Sequence, residues 1–119
     1  MAHTEMREAT FLILSSLAEG KKHGYAIISE AESASGGRVV LRPGTLYAAL
    51  DRLSTEGLVA TAGDEIVNGR LRRYFELTDS GALTLSAEAE RMRLSSAAAL
   101  RKLKARPARG TIGGVAVAQ

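Results

Sequence analysis

Apolar positions crowd the start of the chain, where Phe11, Leu12, Ile13, Leu14 and Leu17 spread around most of a helical circumference. The pattern predicts a first helix over Glu5–Glu19, with Glu5 and Glu8 in the first turn, where the helix dipole favours acid, and Gly20 as its stop. A helix apolar on nearly every side needs burial on more than one side. The expectation is its own core on one side and a partner chain on the other. His23–Ala34 reads as a second helix, ended by Gly36 and Gly37, and Val39–Leu41 as a short β-prone stretch. A third helix is predicted over Pro43–Glu56, because proline suits a first turn and Gly57 supplies a C-terminal stop. On it Leu46, Leu50 and Leu53 share one face and should be core.

Two strands follow, Leu58–Ala62 and Arg72–Leu77, joined through a turn-rich stretch that contains Asn68-Gly69, a strong hairpin signal. Phe75 and Leu77 fall on one face of the second strand and Tyr74 on the other, as in a half-buried hairpin. A fourth helix starts at Thr78 or Asp79 as N-cap and runs to about Lys104. Along it Ala82, Leu85, Ala89, Met92, Ser96, Ala99 and Leu103 recur at alternating spacings of three and four, a heptad seam built largely from small residues. From Pro107 onward there is no periodicity, and a flexible tail is expected. The order of helix, helix, short strand, helix, hairpin and long helix is that of an α+β, mostly helical fold, a winged helix–turn–helix, in which the third helix enters the DNA major groove.

Composition narrows the chemistry. The 119 residues suit one domain, and no run is long and apolar enough to span a membrane. The first residues lack the basic-then-apolar order of a secretory signal, so a soluble cytoplasmic protein is expected. With no cysteine, thiol catalysis, disulfides, zinc ribbons and iron–sulfur clusters are excluded, and with only His3 and His23 neither a metal nor a cofactor is expected. No phosphate-binding loop, nucleophile elbow or dinucleotide fingerprint occurs, and His23 has no nucleophile or second histidine to work with, so the chain is not expected to be an enzyme.

The net charge of +3 hides an asymmetry: residues 91–119 hold seven basic and no acidic residues, leaving residues 1–90 at −4. A case for nucleic acid must therefore rest on local clusters. Arg70, Arg72 and Arg73 supply one at the hairpin tip, suited to phosphate or minor-groove contact, partly offset by Asp64 and Glu65. The outward side of the third helix carries Thr45, Ala48, Asp51, Arg52 and Thr55, with Tyr47 on its flank. Small residues there permit close approach to base edges, and Thr45 and Arg52 can bond to bases or phosphates. The plain alternatives are an amphipathic surface helix, whose Asp51 would repel phosphate, and an edge strand protected by charge. Lys21-Lys22-His23 can reach the DNA backbone as well. The basic stretch Arg101–Arg109 is either a phosphate-contacting arm or a solubilising helix end, and the latter is favoured because cations suit helix C-termini.

Four blocks then carry a family resemblance: Leu17–Ile28 with His23-Gly24-Tyr25, Leu41–Leu53 with Pro43-Gly44-Thr45-Leu46-Tyr47, Glu56-Gly57-Leu58, and Gly69–Gly81 with Leu77-Thr78-Asp79-Ser80-Gly81. In this order and spacing they resemble the PadR-like transcriptional regulators, over about residues 8–104. The resemblance implies a homodimeric winged-helix repressor on a pseudo-palindromic operator, with residues 1–78 as the DNA-binding domain, 79–105 as a C-terminal dimerisation helix of the compact subgroup and 106–119 as a tail. It implies a DNA face of Lys22, Arg42, Thr45, Tyr47, Ala48, Arg52, Arg70, Arg72 and Arg73, with Tyr47 reaching a phosphate. It implies that the first and last helices build the dimer, through Phe11, Leu14, Leu85, Ala89, Met92, Ser96, Ala99 and Leu103. Tyr25 is expected to pack, with its hydroxyl near the backbone.

Two departures stand out. Ala48 replaces a proline that commonly follows the tyrosine of the third helix, at no cost to helix or binding. The tryptophan with which some members sandwich drugs is absent, which excludes indole stacking but leaves room for another small-molecule effector. The competing reading is a winged-helix protein–protein interaction module without specific DNA binding, to which the acidic balance of residues 1–90 lends weight.

Overall fold

A computed structural model describes residues 6–108; the expected tail from residue 109 onward, and Glu5 at the expected start of the first helix, lie outside the described residues. Seven elements follow one another: α1 (Glu8–Leu17), β1 (Lys22–His23), α2 (Gly24–Ala34), α3 (Pro43–Thr55), β2 (Val59–Val67), β3 (Arg70–Leu77) and α4 (Asp79–Lys104). The fold is α+β, four helices with a three-stranded antiparallel sheet in the order β1-β3-β2.

The core lies where α1, α2, α3 and the sheet converge, around Ile13, Leu14, Leu17, Ile27, Leu46, Leu50, Leu53, Val59 and Phe75. Burying each such side chain contributes about 1.5–3 kcal/mol, so α3 is held mainly by its three inward leucines. Its remaining faces are left exposed. Polar groups inside are satisfied locally: Ser16 Oγ donates to Ile13 O at 2.7 Å, and Ser35 Oγ donates to Glu32 O while accepting from Val39 N.

Three expectations change. Val39–Leu41 forms no strand; the third strand is Lys22–His23, which pairs with the free edge of β3 (Lys22↔Phe75, His23↔Tyr74). Leu14 is completely buried in the core of its own chain, so it cannot face a partner. Leu12, Ile13 and Leu17 are enclosed as well, and of the apolar residues of that helix Phe11 and Ala9 stay partly open, with Met6 just before it. The all-round apolar character of α1 is therefore met largely within one chain.

The hairpin is longer than expected, with the register Val67↔Arg70 closing a two-residue turn at Asn68 and Gly69. Both have positive φ (52° and 76°), the conformation that a right-twisted hairpin demands. A register shift between Thr61 and Asp64 interrupts the β2–β3 pairing near its middle.

The chain divides into two compact units, one reaching Glu88 and one starting at Ala89. In the first, α4 opens with Thr78, whose Oγ1 accepts from Gly81 N at 2.9 Å, so Thr78 is the N-cap. Leu85 is half-buried there against the core. In the second, Ala89, Met92, Ser96, Ala99 and Leu103 are all exposed, and Leu94 and Leu100 add to the apolar surface. Glu90 and Arg93 pair along the helix, and Arg101, Lys102 and Lys104 occupy its last turn.

Candidate nucleic-acid interface

The first unit has a groove of about 330 Å³ between the hairpin and the starts of α2 and α3, lined by His23, Gly24, Tyr25, Tyr47, Val67, Asn68 and Arg70–Arg73. Tyr47 forms its floor. Its ring leans on Phe75, centroids 6.2 Å apart, and its hydroxyl lies over Gly24, where a Cβ would overlap Oη and come within 2.9 Å of Cζ. Gly24 is thus a glycine because Tyr47 crosses it, which links two of the sequence blocks by direct contact. Tyr47 nevertheless remains 44% exposed. Tyr25 does not pack as expected: it is 65% exposed at the rim of the same groove.

His23 holds the groove's edge. Its Nδ1 accepts from Ala26 N at 3.4 Å as the cap of α2, and its ring meets Tyr74 edge-on at 5.6 Å. Burial pushes its pKa down, the positive charge of Arg72 acts the same way, and Glu65 opposes both. A neutral imidazole is the form that can accept at Nδ1, so the cap and the electrostatics agree. The Tyr74 hydroxyl donates to Glu65 at 2.7 Å, which holds the phenol on its protonated side and raises its pKa. The Lys21 ammonium sits 5.2 Å above the Tyr74 ring.

Alternation along β3 sorts the cations. Arg70, Arg72 and Tyr74 share one face, and Leu71, Arg73 and Phe75 the other. Arg73 Nε bonds to Asp64 at 3.3 Å across the hairpin, so one of the three wing arginines is partly neutralised. Arg70 and Arg72 have no ion pair among the described residues.

Not every expected residue joins this surface. Thr45, Tyr47 and Ala48 are exposed on α3, and Arg42 is exposed at its start. The Arg52 guanidinium instead bonds to Thr10 of α1 at 3.1 Å, away from the hairpin, in a cavity also lined by Met6, Arg7, Glu56 and Thr84. The helical wheel left Arg52 outward; it lies on the flank nearest α1, where Thr10 competes for it. Lys22 also departs from expectation: it shares a sheet face with Phe75, only 19% of its side chain is exposed, and its ammonium pairs with Glu19 at 3.2 Å. Its neighbour Lys21 is the exposed cation beside the groove.

Sequence reasoning also missed an apolar pair at the hairpin end. Ile66 and Leu71 are register partners, 73% and 63% exposed. Binary patterning would have marked them, had the strands been extended to the turn.

Residues 13–87 match the Transcriptional regulator PadR-like family. A transcriptional regulator of Mycobacterium tuberculosis, Rv3488, is 37% identical over 76 residues, which cover 64% of this chain and 67% of that protein. An uncharacterized 37.1 kDa protein in transposon TN4556 of Streptomyces fradiae is 45% identical over 85 residues, 71% of this chain, but the chain spans only 23% of its length. Among solved structures, a PadR family transcription regulator from Clostridium difficile R20291 superposes with a TM-score of 0.67 at 26% identity, covering 82% of this chain and 99% of that one. Bacillus subtilis PadR in complex with operator DNA superposes with a TM-score of 0.60 at 27% identity, covering 68% of this chain and 46% of that one. Among the described residues no helix is long and apolar enough to cross a membrane. The blocks that meet at Gly24 and Tyr47, the winged-helix topology and the match over most of the chain lead to one conclusion: this protein belongs to the PadR-like family of transcriptional regulators.

Proposed function

We propose that this regulator binds duplex DNA sequence-selectively as a homodimer and represses transcription from a pseudo-palindromic operator. In this reading α3 enters the major groove with Thr45 and Ala48 towards base edges, and Tyr47 and the wing arginines meet the flanking phosphates. The observation that carries it is the single groove that unites Tyr47 with Arg70, Arg72 and Arg73. The likeness to a PadR seen with operator DNA supports it. Dimerisation would use the exposed seam Ala89, Met92, Ser96, Ala99 and Leu103, together with Phe11 and Leu85. Derepression would follow from a small-molecule effector with unequal affinity for two dimer geometries.

The test is fluorescence anisotropy with a duplex selected by the protein from a random library, against a scrambled duplex, over a range of salt. Selective binding is expected. Replacing Arg72 and Arg73 by Ala should weaken binding to all sequences and make the salt slope shallower by about 2, since each phosphate contact contributes roughly 0.9. An unchanged slope overturns the wing assignment. Equal, weak binding to both duplexes favours a protein–protein module, the reading consistent with the Asp64–Arg73 neutralisation.

A further inference from the structure

The Ile66–Leu71 pair is what DNA binding by arginines and α3 leaves unexplained. Both side chains project from the sheet face that carries Phe75 inward, one residue pair back from the Asn68-Gly69 turn. At Phe75 this face is core; at Leu71 it borders α3 only across open hollows shared with Tyr47, Leu50, Asp51 and Ser54, and 63% of the leucine and 73% of the isoleucine face outward. The only acid on that face near the tip, Asp64, is engaged by Arg73. The apolar pair has Arg73 on its own face and Arg70 and Arg72 on the opposite one, where Glu65 faces Arg72 across the hairpin and accepts from Tyr74; Asp51 of α3 lies further back, across the hollow behind Leu71. An apolar tip with three arginines against two acids around it is complementary to a surface with an uncharged floor and anionic walls. A DNA minor groove has that form, about 6 Å wide between its phosphate ridges, and only the turn end of a hairpin fits it.

We propose that Ile66 and Leu71 press on the floor of the minor groove beside the α3 site and select there against guanine. The inference rests on the DNA-binding reading above and adds a second specificity element to it. The chemistry is exclusion rather than hydrogen bonding. A·T and T·A pairs present only acceptors in the minor groove, whereas G·C adds the projecting guanine N2 amino group. Apolar side chains against that amino group strip its water and return no acceptor, so the donor is left unsatisfied. The wing would read A·T against G·C without distinguishing A·T from T·A, and α3 would read the major groove independently.

Inosine separates the two readouts. An I·C pair has the major-groove edge of G·C and the minor-groove edge of A·T, because inosine lacks the N2 amino group. Each A·T pair of the selected duplex is replaced in turn by G·C and by I·C, and affinity is read by anisotropy with the wild-type protein. At positions under the wing, G·C should weaken binding at least about fivefold and I·C should restore it. At positions under α3, I·C should behave like G·C. In the double variant Ile66→Ser, Leu71→Ser, the G·C penalty at the wing positions should vanish while the α3 positions keep theirs. The proposal is overturned if the protein selects a sequence but I·C matches G·C at every position, or if the serine variant retains the wing discrimination. If no sequence is selected at all, the DNA-binding reading fails and this one falls with it.

Discussion

Replacing Gly81 by Ala isolates the docking of the first turn of α4 on the start of β2. Gly81 is helical, so backbone conformation alone would favour the change by up to about 1 kcal/mol. Space opposes it. The added methyl would overlap the carbonyl oxygen of Leu58, lie 3.0 Å from its carbonyl carbon and come within 2.9 Å of Leu77 Cδ1. The first two obstacles are backbone and cannot rotate away. The contact is closed by Thr78 N donating to Leu58 O at 3.1 Å and Thr78 Oγ1 donating to Gly57 O at 2.7 Å. Forcing the elements apart costs about 1–3 kcal/mol of overpacking plus about 1 kcal/mol for each hydrogen bond stretched. Against the helix-propensity gain, the net loss is about 2–4 kcal/mol, which lowers the melting temperature of a unit this size by roughly 10 °C or more. Thermal unfolding at one fixed protein concentration measures it, since self-association shifts the midpoint. Gly44→Ala on α3 is the control, because nothing lies within 4 Å of a Cβ there and no such fall is expected. A Gly81→Ala protein as stable as the wild type would refute the reasoning.

Gly24→Ala should act differently, because its obstacle is the far end of the Tyr47 side chain, which can swing aside. The melting temperature should stay near wild type while DNA affinity falls about two- to tenfold, the worth of one hydrogen bond; a collapse in stability would show that the backbone yields instead. Leu14→Ala should cost about 2–5 kcal/mol of stability in denaturant unfolding, as for a core cavity. Sedimentation should show its dimer dissociation constant unchanged, and a weakened dimer would return Leu14 to the interface. The Arg38 guanidinium bonded to Glu8 holds that carboxyl below the usual carboxylate range. A depressed folded-state pKa means that the pair stabilises at neutral pH and is lost as pH falls through that pKa. Arg38→Ala should therefore be less stable than wild type at pH 7 and indistinguishable from it at strongly acidic pH; a gap that persists in acid would assign Arg38 a packing role.

Much of this architecture is written in local patterns. Pro43, the leucine stripe and Gly57 delimit α3 to within a residue, and Asn68-Gly69 marks the turn, because caps and turns are decided by residues next to one another. What could not be read depends on partners distant in sequence. A two-residue strand at Lys22–His23 has no periodicity of its own and exists because β3 offers an open edge, whereas Val39–Leu41 has β propensity but pairs with nothing. Leu14 and Phe11 have equal claims to an interface on a helical wheel, and only the packing of α2 and the sheet on α1 separates them. Arg52 was legible as an outward cation, but its hydroxyl partner lies 42 residues away on another helix. The choice between Lys21 and Lys22 turned on which of two adjacent side chains faces Phe75.

The pairing of β1 has a mechanical consequence for the hairpin. At Tyr74 and Phe75 the central strand is bonded on both edges, to Thr61 in β2 and to Lys22 and His23 in β1. His23 at the same time caps α2, so the root of the wing is riveted to a helix of the core. Beyond the register shift at Thr61–Asp64 the tip is held by one ladder alone. The wing is a cantilever: clamped at its base, irregular at mid-length and single-ply at its end. Amide exchange should slow from the tip towards Phe75, and compliance should be concentrated where the arm must settle into a groove whose width varies with the sequence beneath it.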